Sequence, residues 1–191
     1  MKSNWIKAEK VLRDEGLVVL PTDTLYGLVA RVDSKKVIEK IYKIKERDKS
    51  KALIVLISSL KDLEKFEIKL SKEEAKILKK FWPGEVSVLL ICKTAKWKYI
   101  HRGTKEIAFR MIGSKNINLF NLLKKVGPVV APSANLESFA PAETIKEAQS
   151  YFESNVDLYI NSGRRKGDPS TLIRIKNSKV EILRQGKVKI K

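Results

Sequence analysis

Four segments combine hydroxyl groups, small residues and basic side chains, a combination suited to binding anions. They are residues 21–28 (PTDTLYGL), 44–53 (IKERDKSKAL), 131–141 (APSANLESFAP) and 161–171 (NSGRRKGDPST). Each adjoins an apolar run typical of a buried strand, and α/β proteins bind ligands in loops at strand ends. One such loop alone is typical of an ordinary polar turn. Together with a net charge of +18, the four favour a site for an anionic ligand.

Several signatures of other enzyme classes are missing from the sequence. It has no GxxxxGK[ST] loop, no GxGxxG motif and no zinc-type Cys/His spacing. Its one histidine, His101, falls in the polar stretch KYIHRG, where we expect a surface loop. A protein without a general base or a metal cage can still catalyse phosphoryl or nucleotidyl transfer. That chemistry needs mainly positioning and neutralisation of phosphate charge, with Mg²⁺ carried in by the nucleotide.

Basic side chains alternate within residues 44–53, at positions Lys45, Arg47, Lys49 and Lys51. Two interpretations are open: a solvated helix end, or a cradle for a strongly anionic ligand. Lysine is so abundant in this chain that a single lysine is weak support for either. Arg47 is more informative, because a planar guanidinium suits phosphate and carboxylate groups.

Arg110 is unusual because it lies inside a predicted strand, IAFRM, between Phe109 and Met111. Neighbouring residues of a strand face opposite sides of the sheet, so Arg110 points away from both. If it points inward, it must be paired or meet an anion, since burying an unpaired charge is costly. The sequence equally allows an arginine on the solvent face of an edge strand.

The composition is that of a globular protein with affinity for polyanions. The 191 residues include 40 basic and 22 acidic side chains, and 43% are hydrophobic. No apolar run is long enough to span a bilayer, and the N-terminal MKSNWIKAEKVL does not have a signal-peptide pattern. The single cysteine, Cys92, is typical of a reducing compartment. We therefore expect a cytoplasmic location.

Helical and strand patterns alternate along the chain. Ser34 precedes a helical stripe, and two capping boxes, Ser71–Glu74 and Thr144–Glu147, predict helices extending to Phe81 and Phe152. Apolar runs predict strands at 17–20, 53–57, 86–92, 107–111, 157–161, 171–175 and 180–183. We predict one α/β domain over residues 1–191, with a mixed sheet and helices packed on it.

A series of motifs runs in order over nearly the whole chain. They are PTDTLYGL, the K-x-R of Lys45 and Arg47, WPGEVSVLL, IAFRM, GPVVAPSANLES, DLYINSG, the PST of 169–171 and ILRQG. In these motifs and their joint spacing, the chain specifically resembles the YrdC-like threonylcarbamoyl-AMP synthases. The resemblance implies a strongly twisted α/β sheet with a basic concave cavity.

The resemblance also implies an activity. Enzymes of this family use L-threonine, bicarbonate or CO₂, and ATP with Mg²⁺. The threonine amine becomes a carbamate that attacks the ATP α-phosphate, and pyrophosphate leaves. The product serves threonylcarbamoyl modification of tRNA, so tRNA and a threonylcarbamoyl-transferase complex are the expected partners, bound directly or indirectly. No metal site of the protein's own is expected, since Mg²⁺ comes with the ATP phosphates.

Residue roles follow by analogy with the family. The phosphate-holding catalytic pair would be Lys45 and Arg47. ATP contacts would include this pair together with Lys51, Ser133, Asn135 and Arg174. The threonine-binding residues would be Thr22, Thr24, Tyr26, Arg110, Ala131 and Ser162, with Arg110 suited to the carboxylate.

The sequence departs from the family pattern at several positions near the implied site. They are Asp48, Lys51, Ala52, Leu56, Glu85 and the pair Glu137-Ser138. Asp48 is the least expected, because it adds a negative charge beside a triphosphate site. The departures leave a second function class open, a double-stranded RNA or tRNA binder of the same fold without chemistry. A carbamoyl-handling relative of the hydrogenase-maturation type is a third, although such domains normally lie in much longer chains.

Overall fold

A computed structural model describes residues 2–176 and 179–190 of the chain, with the side chain of Lys2 left out. Within this part, nine strands form one mixed sheet in the order β7-β1-β2-β6-β3-β5-β4-β8-β9. The strands are β1 Val18–Pro21, β2 Tyr26–Arg31, β3 Ile54–Ile57, β4 Val86–Ile91, β5 Glu106–Met111, β6 Val129–Val130, β7 Leu158–Tyr159, β8 Thr171–Lys176 and β9 Lys179–Arg184. Neighbours pair in parallel at β1/β7, β3/β5 and β4/β8 and antiparallel elsewhere. The predicted mixed α/β sheet is confirmed.

Within the same residues, six α-helices connect and cover the strands. They are α1 Lys2–Arg13, α2 Lys35–Ile44, α3 Lys72–Leu78, α4 Lys98–His101, α5 Ile117–Val126 and α6 Ile145–Phe152. The apolar stripe of α2 is buried as its periodicity predicts, through Val37, Ile38, Ile41 and Tyr42.

The core lies on both faces of the sheet. On one face, alternate strand residues such as Val55 and Phe109 pack with α2 and with Phe66 and Trp97. On the other face, residues such as Leu56 pack with α1 and α5. Arg110 shares this second face, because side chains alternate along β5. The same face continues over β3, β5, β4 and β8, where it forms the floor of a cavity described below.

Three local predictions need correction. The capping box Ser71–Glu74 is present, but α3 ends at Leu78 and not at Phe81. At Thr144 only half of the predicted box forms. The Thr144 hydroxyl accepts from the Glu147 N–H, whereas the Glu147 carboxylate accepts from the N–H of Glu143, one residue earlier.

His101 does not lie on a surface loop. It ends the short helix α4 and is buried, and its Nδ1 accepts a hydrogen bond of 3.1 Å from the Gly103 N–H. The local sequence is polar, but α4 packs against α2 and β5, so tertiary contacts override the local pattern.

Candidate active site

A cavity of about 230 Å³ opens on the second face of the sheet, where loops from distant parts of the chain converge. Its floor consists of small and apolar strand residues, Ile54, Ser87, Ala108 and Leu172. Seven of the residues assigned to the site from the sequence line it: Thr22, Thr24, Tyr26, Arg47, Arg110, Ala131 and Ser133. The structure therefore brings part of the predicted threonine set and part of the predicted ATP set to one place.

The loop between β1 and β2 forms one wall of the cavity. Its turn is held by Thr22, whose hydroxyl donates to the Leu25 carbonyl at 2.7 Å. Gly27 follows, and a Cβ there would lie only 2.8 Å from the Thr22 Cγ2. Because Gly27 has no Cβ, its backbone can pack directly against the Thr22 side chain. Gly27 also forms an isolated β-bridge with Ser133.

Arg47 reaches the cavity from the turn after α2, which we call the Arg47 turn (residues 45–51). The helix closes in a Schellman motif: the Arg47 N–H donates to the Tyr42 carbonyl and the Glu46 N–H to the Lys43 carbonyl. Glu46 has the left-handed φ of 52° that this motif requires. The reversal at Glu46 sends Lys45 and Arg47 to different surroundings, and the Arg47 Nη2 donates to the Ala52 carbonyl at 3.0 Å.

Lys45 is buried in the wall of the cavity and is not among its lining residues. Its ammonium donates to the carbonyls of Ser133 at 2.6 Å and Asn135 at 2.5 Å. Burial and the nearby positive charge of Arg47 lower the pKa of Lys45 to about 7. Lys45 therefore supports the segment that carries Ser133 and Asn135.

That segment, which we call the Ser133 loop (residues 131–139), is internally bonded. The Ser133 hydroxyl donates to the Asn135 Oδ1 at 2.6 Å. The Asn135 Nδ2 donates in turn to the carbonyls of Leu136 and Phe139. Asn135 is buried and its amide is used within the loop, so Ser133 is the residue of this pair that faces the cavity.

Arg110 points inward and is paired, which decides between the two orientations that the sequence left open. Its Nη2 lies 2.8 Å from the Asp23 Oδ1, and both side chains are almost fully buried. The contact is an ion pair outside good hydrogen-bond alignment, and the Arg110 Nε has no partner in the described residues. Burial raises the pKa of Asp23, while the charge of Arg110 acts in the opposite direction.

Ser162 lies beside the cavity wall and not in its lining. The Tyr26 hydroxyl accepts from the Ser162 N–H at 2.9 Å and donates to the Gly163 carbonyl at 2.7 Å. The Ser162 side chain accepts from Arg165 and faces a second hollow of about 200 Å³, which shares Thr22 with the first.

Arg174, assigned to ATP from the sequence, is placed elsewhere. Its guanidinium forms a two-point pair with Glu106, at 2.9 and 3.0 Å, and lies 3.5 Å from Glu181. It shares a sheet face with Leu172 but lies two residues, or roughly 7 Å, further along β8. The structure thus takes Arg174 out of the set of cavity residues.

Arg184 is the residue that sequence reasoning missed. It lines the cavity, and its Nη2 donates to the Ser170 carbonyl at 2.8 Å. Partial burial of its guanidinium and the charge of Arg110 lower the pKa of Arg184. The ILRQG motif contains Arg184 and could have pointed to it. Arg184 reaches the cavity because β9 runs antiparallel to β8 and places Arg184 opposite Leu172.

The two charged departures in the Arg47 turn do not line the cavity. Asp48 is exposed, and its carboxylate accepts from the backbone and hydroxyl of Ser50, which lowers its pKa. Lys51 is half-exposed and pairs with Glu137. Neither residue presents its charge to the cavity as the sequence suggested.

Within the described residues, no group of three or more His, Cys, Asp or Glu side chains is arranged to hold a metal ion. None of the helices in the same residues combines the length and apolar character needed to cross a membrane.

Comparison with known proteins places the chain in a family. The family model Sua5_yciO_yrdC, described as "Telomere recombination", matches residues 10–186. Threonylcarbamoyl-AMP synthases of Bacillus subtilis and Pyrococcus abyssi are 34% and 28% identical over 74% and 92% of this chain. The chain spans only 40% and 52% of those two relatives. It spans 85% of the putative threonylcarbamoyl-AMP synthase of Methanocaldococcus jannaschii, which is 27% identical over 95% of the chain.

Solved structures agree with this placement. The crystal structure of P. abyssi Sua5 complexed with L-threonine superposes with a TM-score of 0.87 at 26% identity, covering 97% of this chain and 55% of that one. The E. coli YciO structure has the same fold, with a TM-score of 0.84 at 22% identity and coverage of 97% and 90%. The resemblance inferred from the motifs is confirmed, and the chain belongs to the Sua5/YciO/YrdC family.

Proposed function

We propose that this chain is a threonylcarbamoyl-AMP synthase, which converts L-threonine, bicarbonate or CO₂, and ATP into threonylcarbamoyl-AMP and pyrophosphate. One observation carries the proposal: a single cavity is lined by Arg47, Arg110 and the hydroxyl residues Thr24 and Ser133. The arrangement occurs in a chain whose family relatives bear that enzyme name. Three arginines, Arg47, Arg110 and Arg184, line this small cavity, which suits a reaction between two anionic substrates.

Threonine would occupy the inner part of the cavity. Arg110 lines the cavity, and its guanidinium would bind the amino acid's carboxylate. Thr24 and Ala131 line the same cavity and would contact the amino acid from the two loops that carry them. A carboxylate held by Arg110 would direct the threonine amine away from it, toward the open side.

ATP would lie toward the Arg47 turn and the Ser133 loop. The cavity of about 230 Å³ is smaller than the roughly 300 Å³ at which ligand pockets usually begin, so a nucleotide would extend out of it. Arg47 and the Ser133 hydroxyl would contact phosphates, and Arg184 would approach from the opposite rim. Mg²⁺ would enter on the ATP phosphates as part of the substrate.

The chemistry would proceed in two steps. The threonine amine attacks bicarbonate or CO₂ to give a carbamate, with loss of a proton and, from bicarbonate, of hydroxide. A carbamate oxygen then attacks the α-phosphorus, the bond to the β-phosphate bridging oxygen breaks, and pyrophosphate leaves. Arg47 would neutralise the charge that develops on the phosphates. Lys45 would support this step indirectly, through the carbonyls of Ser133 and Asn135 that it holds.

The product would serve tRNA modification in the cytoplasm. The strongly basic surface suits tRNA or a partner complex that receives the threonylcarbamoyl group, and such binding would weaken with added salt. The competing function is an RNA binder without turnover. The cavity favours the enzyme, because an RNA-binding surface has no use for a buried arginine in the lining of a small cavity.

An omission assay separates these functions. The protein is incubated with ATP and Mg²⁺, and pyrophosphate release is measured with threonine and bicarbonate each left out in turn. The proposal predicts that release requires both. Release that is indifferent to threonine would overturn it, and tight RNA binding without any release would favour the binder.

A further inference from the structure

The Arg47 turn and the Ser133 loop are joined at two places, one on each side of Arg47. On the inner side, Lys45 donates to the carbonyls of Ser133 and Asn135, and its own carbonyl accepts from the Glu137 N–H at 2.8 Å. On the outer side, the Glu137 carboxylate accepts from the Asp48 N–H at 2.5 Å. Arg47 thus projects into the cavity from a turn that is fixed both before and after it.

Among the residues that the structure describes, Glu137 is the one that makes the outer junction. One carboxylate oxygen binds the backbone of the Arg47 turn at Asp48, and the other pairs with the Lys51 ammonium. A charge-assisted bond to a backbone N–H restricts the main chain directly, whereas a half-exposed lysine adds little holding strength. The main effect of Lys51 is to neutralise the Glu137 carboxylate. The bond from Lys51 lowers the pKa of Glu137, and the nearby charge of Arg47 acts in the same direction.

We propose that Glu137 is a positioning residue that fixes the Arg47 turn for nucleotide binding, and that Lys51 acts through Glu137 and not by touching the nucleotide. The assignment rests on the synthase function proposed above. It explains two departures from the family pattern at once, because Lys51 and Glu137 are each other's partners. It also reassigns Lys51, which sequence reasoning had placed among the ATP contacts.

Substitution of Glu137 tests the first half of the proposal. In Glu137→Ala, we expect the KM for ATP and the Kd for a non-hydrolysable ATP–Mg²⁺ analogue to rise about fivefold, with kcat changed less than about twofold. Glu137→Gln keeps an acceptor for the Asp48 N–H and should fall between this variant and the wild type. The matched control is Glu9→Ala, a carboxylate of similar exposure that pairs with Arg13 on α1 and Lys125 on α5.

A double-mutant cycle tests the second half. Lys51→Met alone should weaken analogue binding about threefold, because it leaves the Glu137 charge unpaired beside the phosphates. In the Glu137→Ala background, the same substitution should have no further effect. If Lys51 touches the nucleotide, its loss will weaken binding equally in both backgrounds, and the proposal is wrong.

The measurements distinguish failure of this inference from failure of the proposed synthase activity. If the wild type forms product but Glu137→Ala and Glu137→Gln bind the analogue normally, only the inference is overturned. A loss confined to kcat overturns it as well, because positioning for binding must appear in Kd. If the wild type binds the analogue but forms no product, the activity is wrong and the Kd cycle still decides the role of Glu137. A wild type that does not bind the analogue overturns both.

Discussion

Arg110 and Asp23 form an ion pair beneath the cavity, with 2.8 Å between Nη2 and Oδ1 and almost no solvent exposure of either side chain. The pair joins the central strand β5 to the loop that carries Thr22 and Thr24. Two opposite charges in such a place stabilise each other only as long as both are present. The pair therefore fixes the β1–β2 loop, the wall of the cavity that carries Thr22 and Thr24. It also makes that wall sensitive to substitution.

We predict that Asp23→Asn lowers the free energy of unfolding by about 3 kcal/mol, because it leaves the Arg110 charge buried without its countercharge. Chemical denaturation at pH 7 measures this. Asp33→Asn is the control: its carboxylate pairs with Arg31 and Lys65 at a partly exposed position, so it should cost less than about 1 kcal/mol. Equal small losses in both variants would show that the buried pair does not stabilise the wall.

Lys45 predicts a pH dependence of stability. Its pKa falls to about 7 in the folded protein, so the folded state has released its proton above pH 7 while the unfolded chain still binds one. The free energy of unfolding therefore rises with pH above 7, by up to about 1.4 kcal/mol per pH unit. This contribution of Lys45 is lost as the pH falls through 7. Unfolding free energies of the wild type and Lys45→Met between pH 6 and 9 should diverge in favour of the wild type as pH rises. Parallel profiles would contradict the lowered pKa.

Much of the fold could be predicted because it rests on local patterns. Local residue patterns predict one type of element at each of several places. They include the apolar stripe of α2, the Ser71–Glu74 capping box and the apolar runs that form β3, β4 and β5. The convergence of the loops could also be predicted, since strand ends bring their loops to one edge.

The rest depended on contacts between distant parts of the chain. Whether Arg110 points inward is decided by Asp23, and nothing near Arg110 in the sequence shows this. The sequence places Lys51 among the ATP contacts, because its actual partner, Glu137, lies in a distant loop. The choice between Arg174 and Arg184 depends on the register of β8 and β9, which shifts between Leu172 and Ile173.

The register of β8 and β9 gives a prediction about these two arginines. Arg184→Ala should raise the KM for ATP about tenfold, since a cavity arginine suited to phosphate is removed. Arg174→Ala should leave that KM within about twofold of the wild type, because its guanidinium is bound to Glu106 outside the cavity. Steady-state kinetics with ATP as the varied substrate measures both. A larger effect at Arg174 than at Arg184 would show that the ATP site extends along β8 toward Arg174.

Arg47→Ala should reduce turnover at least about 100-fold while leaving the fold intact. The side chain contributes charge to the cavity and one bond to the Ala52 carbonyl, and the Schellman motif that shapes the turn uses only backbone groups. Turnover and thermal unfolding of the variant are compared with those of Arg13→Ala, an exposed arginine on α1. Near-normal turnover in Arg47→Ala would mean that the phosphates bind elsewhere.

The mass of the adenylate product tests the proposed synthase activity. The protein is incubated with ATP, Mg²⁺, ¹⁵N-threonine and ¹³C-bicarbonate, and the quenched reaction is analysed by mass spectrometry. We expect threonylcarbamoyl-AMP that carries both labels, because the threonine amine and the bicarbonate carbon are joined before the α-phosphate is attacked. An adenylate that contains ¹⁵N without ¹³C, or AMP alone, would contradict it.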